Sequence, residues 1–154
     1  SKSFVKIDNP LSQEYSALRD VMAPSLLNVL KQNRHRAYPQ KFFETGNVAI
    51  PDESGRGASN RKKVAYIQTG DDTGFTDARK MLQVLERDLG IDLEVRDSVK
   101  PFFQDIKSGK VMVNGEEVGF IGQFSEEVLE NWGLGKPTAG FELDLEKVDE
   151  ELKR

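Results

Sequence analysis

The sequence predicts an α+β domain with a mainly antiparallel sheet flanked by helices, on three observations. Segments with strand character outnumber those with helical periodicity, and most are joined by hairpin-type connections. One long amphipathic helix presents an apolar face that only a sheet can cover. The 154 residues suit a single domain, 1–154, with its own core and no repeat, low-complexity tract or interdomain linker. Hairpin connections favour antiparallel pairing, with the helices packed on one face of the sheet.

Ser3–Ile7 alternates weakly as a short strand and is closed by Asn9-Pro10, a turn and helix-start signal. Leu11–Met22 is a short helical pattern. Pro24, tolerated in a first turn, restarts a helix with an apolar stripe of Leu26, Leu27, Val29 and Leu30. Asn33-Arg34-His35-Arg36 ends it with cations, which the carboxyl end of a helix dipole favours. Phe42–Ile50 and Lys63–Thr69 read as two strands around a long mobile loop, Pro51–Arg61, rich in Gly, Ser and charge.

Thr76–Leu89 is the clearest helix. Thr76 reads as its N-cap, Asp77 suits the first turn, and Gly90 stands where a left-handed residue ends a helix. Its apolar face is Ala78, Met81, Leu82, Leu85 and Leu89. Leu93–Val95 is a short strand. Val111–Val113 and Val118–Ile121 form a hairpin through Asn114-Gly115, the dipeptide that accepts positive φ at both turn positions. Ser125 caps a brief helix ending at Trp132 and Gly133. Thr138–Leu143 is a last strand and Leu145–Leu152 a terminal helix.

Charge and composition exclude several functions. The net charge of −4 argues against a wholly basic nucleic-acid-binding face, though not against a local basic edge. With no cysteine, disulfides, thiolate metal sites and cysteine nucleophiles are excluded, and the balance leans to the cytoplasm. With one histidine, a His-rich metal site is impossible. No apolar run approaches the roughly 20 residues of a membrane helix, and Ser1–Val5 is too short and polar for a signal peptide. Because it opens with Ser1, the chain reads as a piece excised from a longer protein, with Ser1–Ser3 partly a tag remnant.

Each candidate site residue has two readings. Ser54-Gly55-Arg56-Gly57 joins two strands and opens no helix, so it reads as a hairpin tip before a phosphate loop. Asp71-Asp72, Glu116-Glu117, Glu126-Glu127 and Asp149-Glu150-Glu151 read as solvated surface rather than paired catalytic acids. His35, between Arg34 and Arg36, has no orienting carboxylate nearby and reads as a surface or RNA-facing residue. Two basic groups, Asn33-Arg34-His35-Arg36 with Lys41 and Arg61-Lys62-Lys63, flank the first hairpin. With Arg56, they are candidates for contact with an RNA backbone, or ordinary solvated element ends. Phe102, Phe103, Phe120 and Trp132 read as core or interface.

Read in order, several segments resemble one family. Asn9-Pro10-Leu11-Ser12 with Tyr15 and Leu18-Arg19, then Pro24-Ser25-Leu26-Leu27, Leu30 and Asn33-Arg34, is similar to the "NPLS-x-EYS-x-LR…PSLL-x-x-L-x-x-N" stretch of phenylalanyl-tRNA synthetase β subunits. Phe43-Glu44-Thr45-Gly46-Asn47-Val48 resembles that family's "FE-x-G-x-V". Asn114-Gly115 with Gly119-Phe120-Ile121-Gly122, then Glu127-Val128-Leu129 and Trp132-Gly133-Leu134, resembles its "NG…GxIG…PEVL…FGL". Gly140–Leu145 resembles its final strand. The resemblance covers nearly the whole chain and is closer to the archaeal and eukaryotic branch. A "GR" pair and a "HPEV" stretch are replaced by Gln104-Asp105-Ile106-Lys107 and by Phe124-Ser125-Glu126-Glu127-Val128.

The resemblance implies a class II synthetase-like fold that begins after the usual first long helix. It also implies a catalytic-like but non-catalytic module, with no catalytic, cofactor-binding or metal-binding residue of its own. Its partner would be the α subunit, in a cytoplasmic α2β2 heterotetramer without membrane contact. That holoenzyme would use ATP and magnesium to join phenylalanine to its tRNA, with tRNA touching this domain only indirectly. The residues agree. Where a class II motif 2 sets an arginine against a phosphate, Glu44 stands; where motif 3 offers another, Gly140–Glu146 offers three acids. The alternative is a divergent stand-alone paralogue binding nucleotide or RNA through Arg56, Arg61 and their neighbours.

Overall fold

The computed structural model describes residues 21–51 and 58–153. Among them the helices are α1 (Ala23–Asn33), α2 (Phe75–Leu89), α3 (Glu126–Asn131) and α4 (Leu145–Leu152). The strands are β1 (Gln40–Pro51), β2 (Ala58–Thr69), β3 (Glu94–Asp97), β4 (Phe103–Val113), β5 (Glu116–Phe124) and β6 (Thr138–Asp144). They form one six-stranded sheet in the order β1-β2-β6-β5-β4-β3, and every pairing is antiparallel. The predicted strand at Ser3–Ile7, the Asn9-Pro10 turn, most of the Leu11–Met22 helix and the Ser54–Gly57 tip lie outside the described residues.

Helices cover both faces of the sheet, which corrects the expectation of one. The reason lies in β6, whose residues are buried throughout; successive side chains of a strand point to opposite faces, so each face needs its own cover. On one face α1 and α3 pack Leu26, Leu27, Leu30, Val128 and Leu129 against Ala65, Ile67 and Phe124. On the other, α2 and α4 pack Ala78, Leu82 and Val148 against Tyr66, Ile121, Phe141 and Leu143.

The first hairpin is longer than the sequence suggests. Pairing runs from Gln40 opposite Thr69 to Pro51 opposite Ala58, so Pro51 and residues 58–61, assigned to the loop, are strand. The second hairpin turns at Asn114 (φ 50°) and Gly115 (φ 84°), as the dipeptide predicts. Its first strand reaches back to Phe103, across a bulge that shifts the register between Phe103 and Ser108. That bulge leaves Ile106 exposed and hides the alternation by which a strand is recognised. The start of α2 also differs. Gly74 is the N-cap, and Asp77 reaches back to its amide at 2.9 Å, so Thr76 is already helical. Gly90 (φ 67°) ends the helix in the left-handed conformation expected of it. Leu89, placed on the apolar face by periodicity, is 48% exposed at the carboxyl end of the helix.

Leu143, fully buried in the central strand, should therefore cost about 3 kcal/mol when replaced by Ala. Leu89→Ala should stay within about 0.5 kcal/mol. Urea denaturation of the two variants measures the contrast.

Candidate functional site

Glu44, and Glu142 among the three acids of Gly140–Glu146, fall in one row across the sheet. Glu44 stands opposite Ala65, Ala65 opposite Glu142, and Glu142 opposite Phe120. All four share the face that α1 covers. This follows from strand periodicity, because Phe42 and Ile67 on the same alternation pack in the α1 core while Tyr66 belongs to the other.

Both carboxylates hold the start of α1. Met22, its N-cap, has no side-chain cap of its own; its amide instead donates to Glu142 Oε1 at 2.6 Å. Ser25 Oγ donates to Glu44 at 3.0 and 3.2 Å. A carboxylate at the amino end of a helix satisfies orphan amides and meets the positive end of the dipole. The second oxygen of Glu142 takes Lys63 Nζ at 3.3 Å. Glu142 is 2% exposed. Burial is the largest influence on it and lifts its pKa above the ordinary carboxylate range, against Lys63 and the amides of Met22 and Ala23, which lower it.

Aromatic side chains fill the rest of this face. Phe102 packs edge-on to Phe103 at 4.6 Å and to Phe120 at 5.3 Å, and Phe103 to Phe124 at 5.0 Å. Gly122 makes room, since any Cβ there would collide with the Phe103 ring. Trp132 packs partly buried against the same cluster. Between helix, rings and Glu142 remains a cavity of about 10 Å³, lined also by Ala23, Leu26 and Gly140; it has room for about one water molecule. Among the described residues no His, Asp and Glu cluster has metal-ligand geometry.

The basic candidates separate. Arg61 meets Asp144 at 3.0 Å, Glu146 at 3.3 Å and Glu150 at 3.7 Å, and Lys63 is bonded to Glu142. Asp144 in turn caps α4, accepting from the amides of Glu146 and Lys147 at 3.0 Å. Lys62, Arg34, Arg36 and His35 are exposed. Arg34 and Arg36 lie by the Gln40–Thr69 end of the first hairpin and Lys62 beside Asn47, roughly 20 Å further along the strand. Arg56 lies outside the described residues. Asp71, Asp72, Glu116, Glu117, Glu126 and Glu127 are exposed, whereas Glu151 is buried.

Sequence reasoning found both acids but missed what they hold. The available signal was Glu142 between Phe141 and Leu143 in a strand, a buried charge that demands a partner.

Known proteins agree with this architecture. A family model described as the phenylalanyl tRNA synthetase beta chain CLM domain matches residues 1–145. Similar archaeal proteins named phenylalanine–tRNA ligase beta subunit include that of Thermococcus kodakarensis, 42% identical over 142 residues, covering 92% of this chain and 25% of that protein. That of Pyrococcus abyssi is 40% identical, covering 94% and 26%, and that of Aeropyrum pernix 38%, covering 95% and 26%. The chain thus spans about a quarter of the length of the curated relatives it matches. Among solved structures, a pyrrolysyl tRNA synthetase of Desulfitobacterium hafniense superposes with a TM-score of 0.66 at 20% identity, covering 84% of this chain and 48% of that one. The chain has a class II synthetase fold.

The raised pKa of Glu142 gives a pH dependence with a definite sign. A carboxyl group titrating higher in the folded than in the unfolded chain binds protons more tightly when folded, so its contribution is largest at low pH and is lost as pH rises through the folded value. Acidification from neutrality towards the ordinary carboxylate range should therefore shift the stability difference between the native chain and Glu142→Gln in favour of the native chain. Paired urea titrations across that range measure it.

Proposed function

This chain belongs to the phenylalanyl-tRNA synthetase beta-chain family through its CLM domain, and on that premise we propose that it is a non-catalytic structural and subunit-interaction domain of phenylalanine–tRNA ligase. It supports ATP-dependent attachment of phenylalanine to its tRNA, with the chemistry carried by the α subunit and with ATP and magnesium held there. The observation that carries the reading is the row from Glu44 to Phe120. Where an adenylating site places guanidinium groups against phosphate oxygens, this row offers two carboxylates, each bonded to the start of α1. The opening beside them is about 10 Å³. A nucleoside triphosphate fits neither the charge nor the room, because its transfer chemistry depends on neutralising negative charge.

The chain alone should give no ATP–pyrophosphate exchange above background, and Glu44→Arg should not restore it, since Glu142 and α1 still occupy the face. It should co-purify with the α subunit, and the assembled ligase should charge tRNA. Robust exchange by the isolated chain overturns the reading.

RNA contact, where this domain makes any, falls to the exposed Arg34, Arg36 and Lys62, since Arg61 and Lys63 are engaged by carboxylates. Replacing Arg34 and Arg36 together by Ala should reduce the salt dependence of tRNA binding by the release of about two counterions. An unchanged salt slope removes those contacts.

A further inference from the structure

The opposite face of the sheet carries a polar cleft that the reading above does not use. It has a volume of about 320 Å³ and is lined by Tyr38, Pro39, Gln68, Asp71, Asp72, Thr73 and Asp77, where the Gly70–Gly74 turn leads from β2 into α2. The lining holds three carboxylates and no basic side chain. They do not converge on a point as metal ligands do.

Two buried polar side chains open into it. Gln68 is 8% exposed, and its Oε1 accepts from the Tyr66 hydroxyl at 2.7 Å. Burial, with Asp77 adding to it, pushes the Tyr66 hydroxyl up to about 12, so it remains a proton donor at any ordinary pH. With its Oε1 taken by Tyr66, the carboxamide keeps its NH2 group for another partner, and among the described residues that nitrogen donates to nothing. Thr73, 7% exposed, likewise has a hydroxyl without a partner among them. Asp77 uses one oxygen for the Gly74 amide. Asp72 makes no ion pair or hydrogen bond among the described residues.

The rim already shows what such a cleft holds. Lys136 Nζ bonds Asp71 at 2.6 Å and lies 5.0 Å over the Tyr38 ring. Asp72 and Asp77 remain as acceptors for a second cation. Gln68, as a donor, requires a neutral or negative acceptor beside it. A basic side chain together with its own backbone carbonyl supplies both. Lys41, opposite Gln68 in β1, is exposed and does not line the cleft.

We propose that this cleft binds a peptide segment of a partner protein, its arginine or lysine cation meeting Asp72 and Asp77 and its backbone carbonyl accepting from Gln68. The site lies on the other face from the Glu44–Glu142 row, so it stands or falls independently of the proposed function.

The test is an NMR titration of the 15N-labelled chain with N-acetyl-arginine amide, following the backbone amide signals of residues 70–74 and, where Gln68 is present, its side-chain NH2 signals. A saturable shift is expected, weakened at least fivefold for the uncharged N-acetyl-citrulline amide. Asp72→Asn should weaken the arginine probe severalfold, and Gln68→Leu should do the same while leaving agmatine, which lacks the carbonyl, unaffected. Equal binding of the citrulline probe, or native affinity in Asp72→Asn, overturns the proposal. Agmatine binding as tightly as N-acetyl-arginine amide overturns it in favour of a free organic cation. Asp72 is exposed at a turn, so its variant decides the matter even where Gln68→Leu does not fold.

Discussion

The buried carboxylate of Glu142 is the constraint around which the rest of this face is arranged. Held at 2% exposure, it has to be compensated, because an unpaired charge in an apolar interior is costly. The compensation comes from two directions: an ammonium group on the neighbouring strand and an amide at the start of α1. Each partner fixes something. Lys63 ties β2 to β6 in addition to their ladder, and Met22 seats the helix over the sheet at one height and angle. Once α1 is seated, Leu26, Leu27 and Leu30 have a surface to cover, and the phenylalanine cluster closes the remaining space.

A carboxylate is suited to this work for the same reason that it is unsuited to holding a phosphate. It accepts without donating, so it can gather amides, hydroxyls and ammonium groups but adds like charge beside an anion. The antiparallel sheet of a synthetase presents a row of side chains to whatever lies above it. With acids in the row and a helix drawn down onto them, the same scaffold becomes an interior. The fold leaves the identity of the row open, and the side chains decide the use.

The two faces then divide the labour. One is closed by α1, α3 and aromatic rings down to a cavity of about 10 Å³. The other is closed by α2 and α4 over its apolar centre but ends, at the turn before α2, in a cleft with acidic walls and a buried carboxamide.

What the sequence determined by itself are the features carried by local chemistry. The Asn114-Gly115 turn, the left-handed end of α2 at Gly90, the Ser125 cap and the apolar stripe of α1 all follow from nearest-neighbour sterics and periodicity, and they stand where the residues put them. The order of segments also identified the family. The tertiary structure alone decided which charges face each other. Nothing in the sequence says that Arg61 and Lys63 are the partners of Asp144 and Glu142. They become partners because β2 pairs with β6 across some eighty residues of chain. A coulombic contact depends on distance in space, which sequence separation does not encode. The register of the sheet supplies that distance, and with it the difference between a row that repels a phosphate and a row that holds a helix.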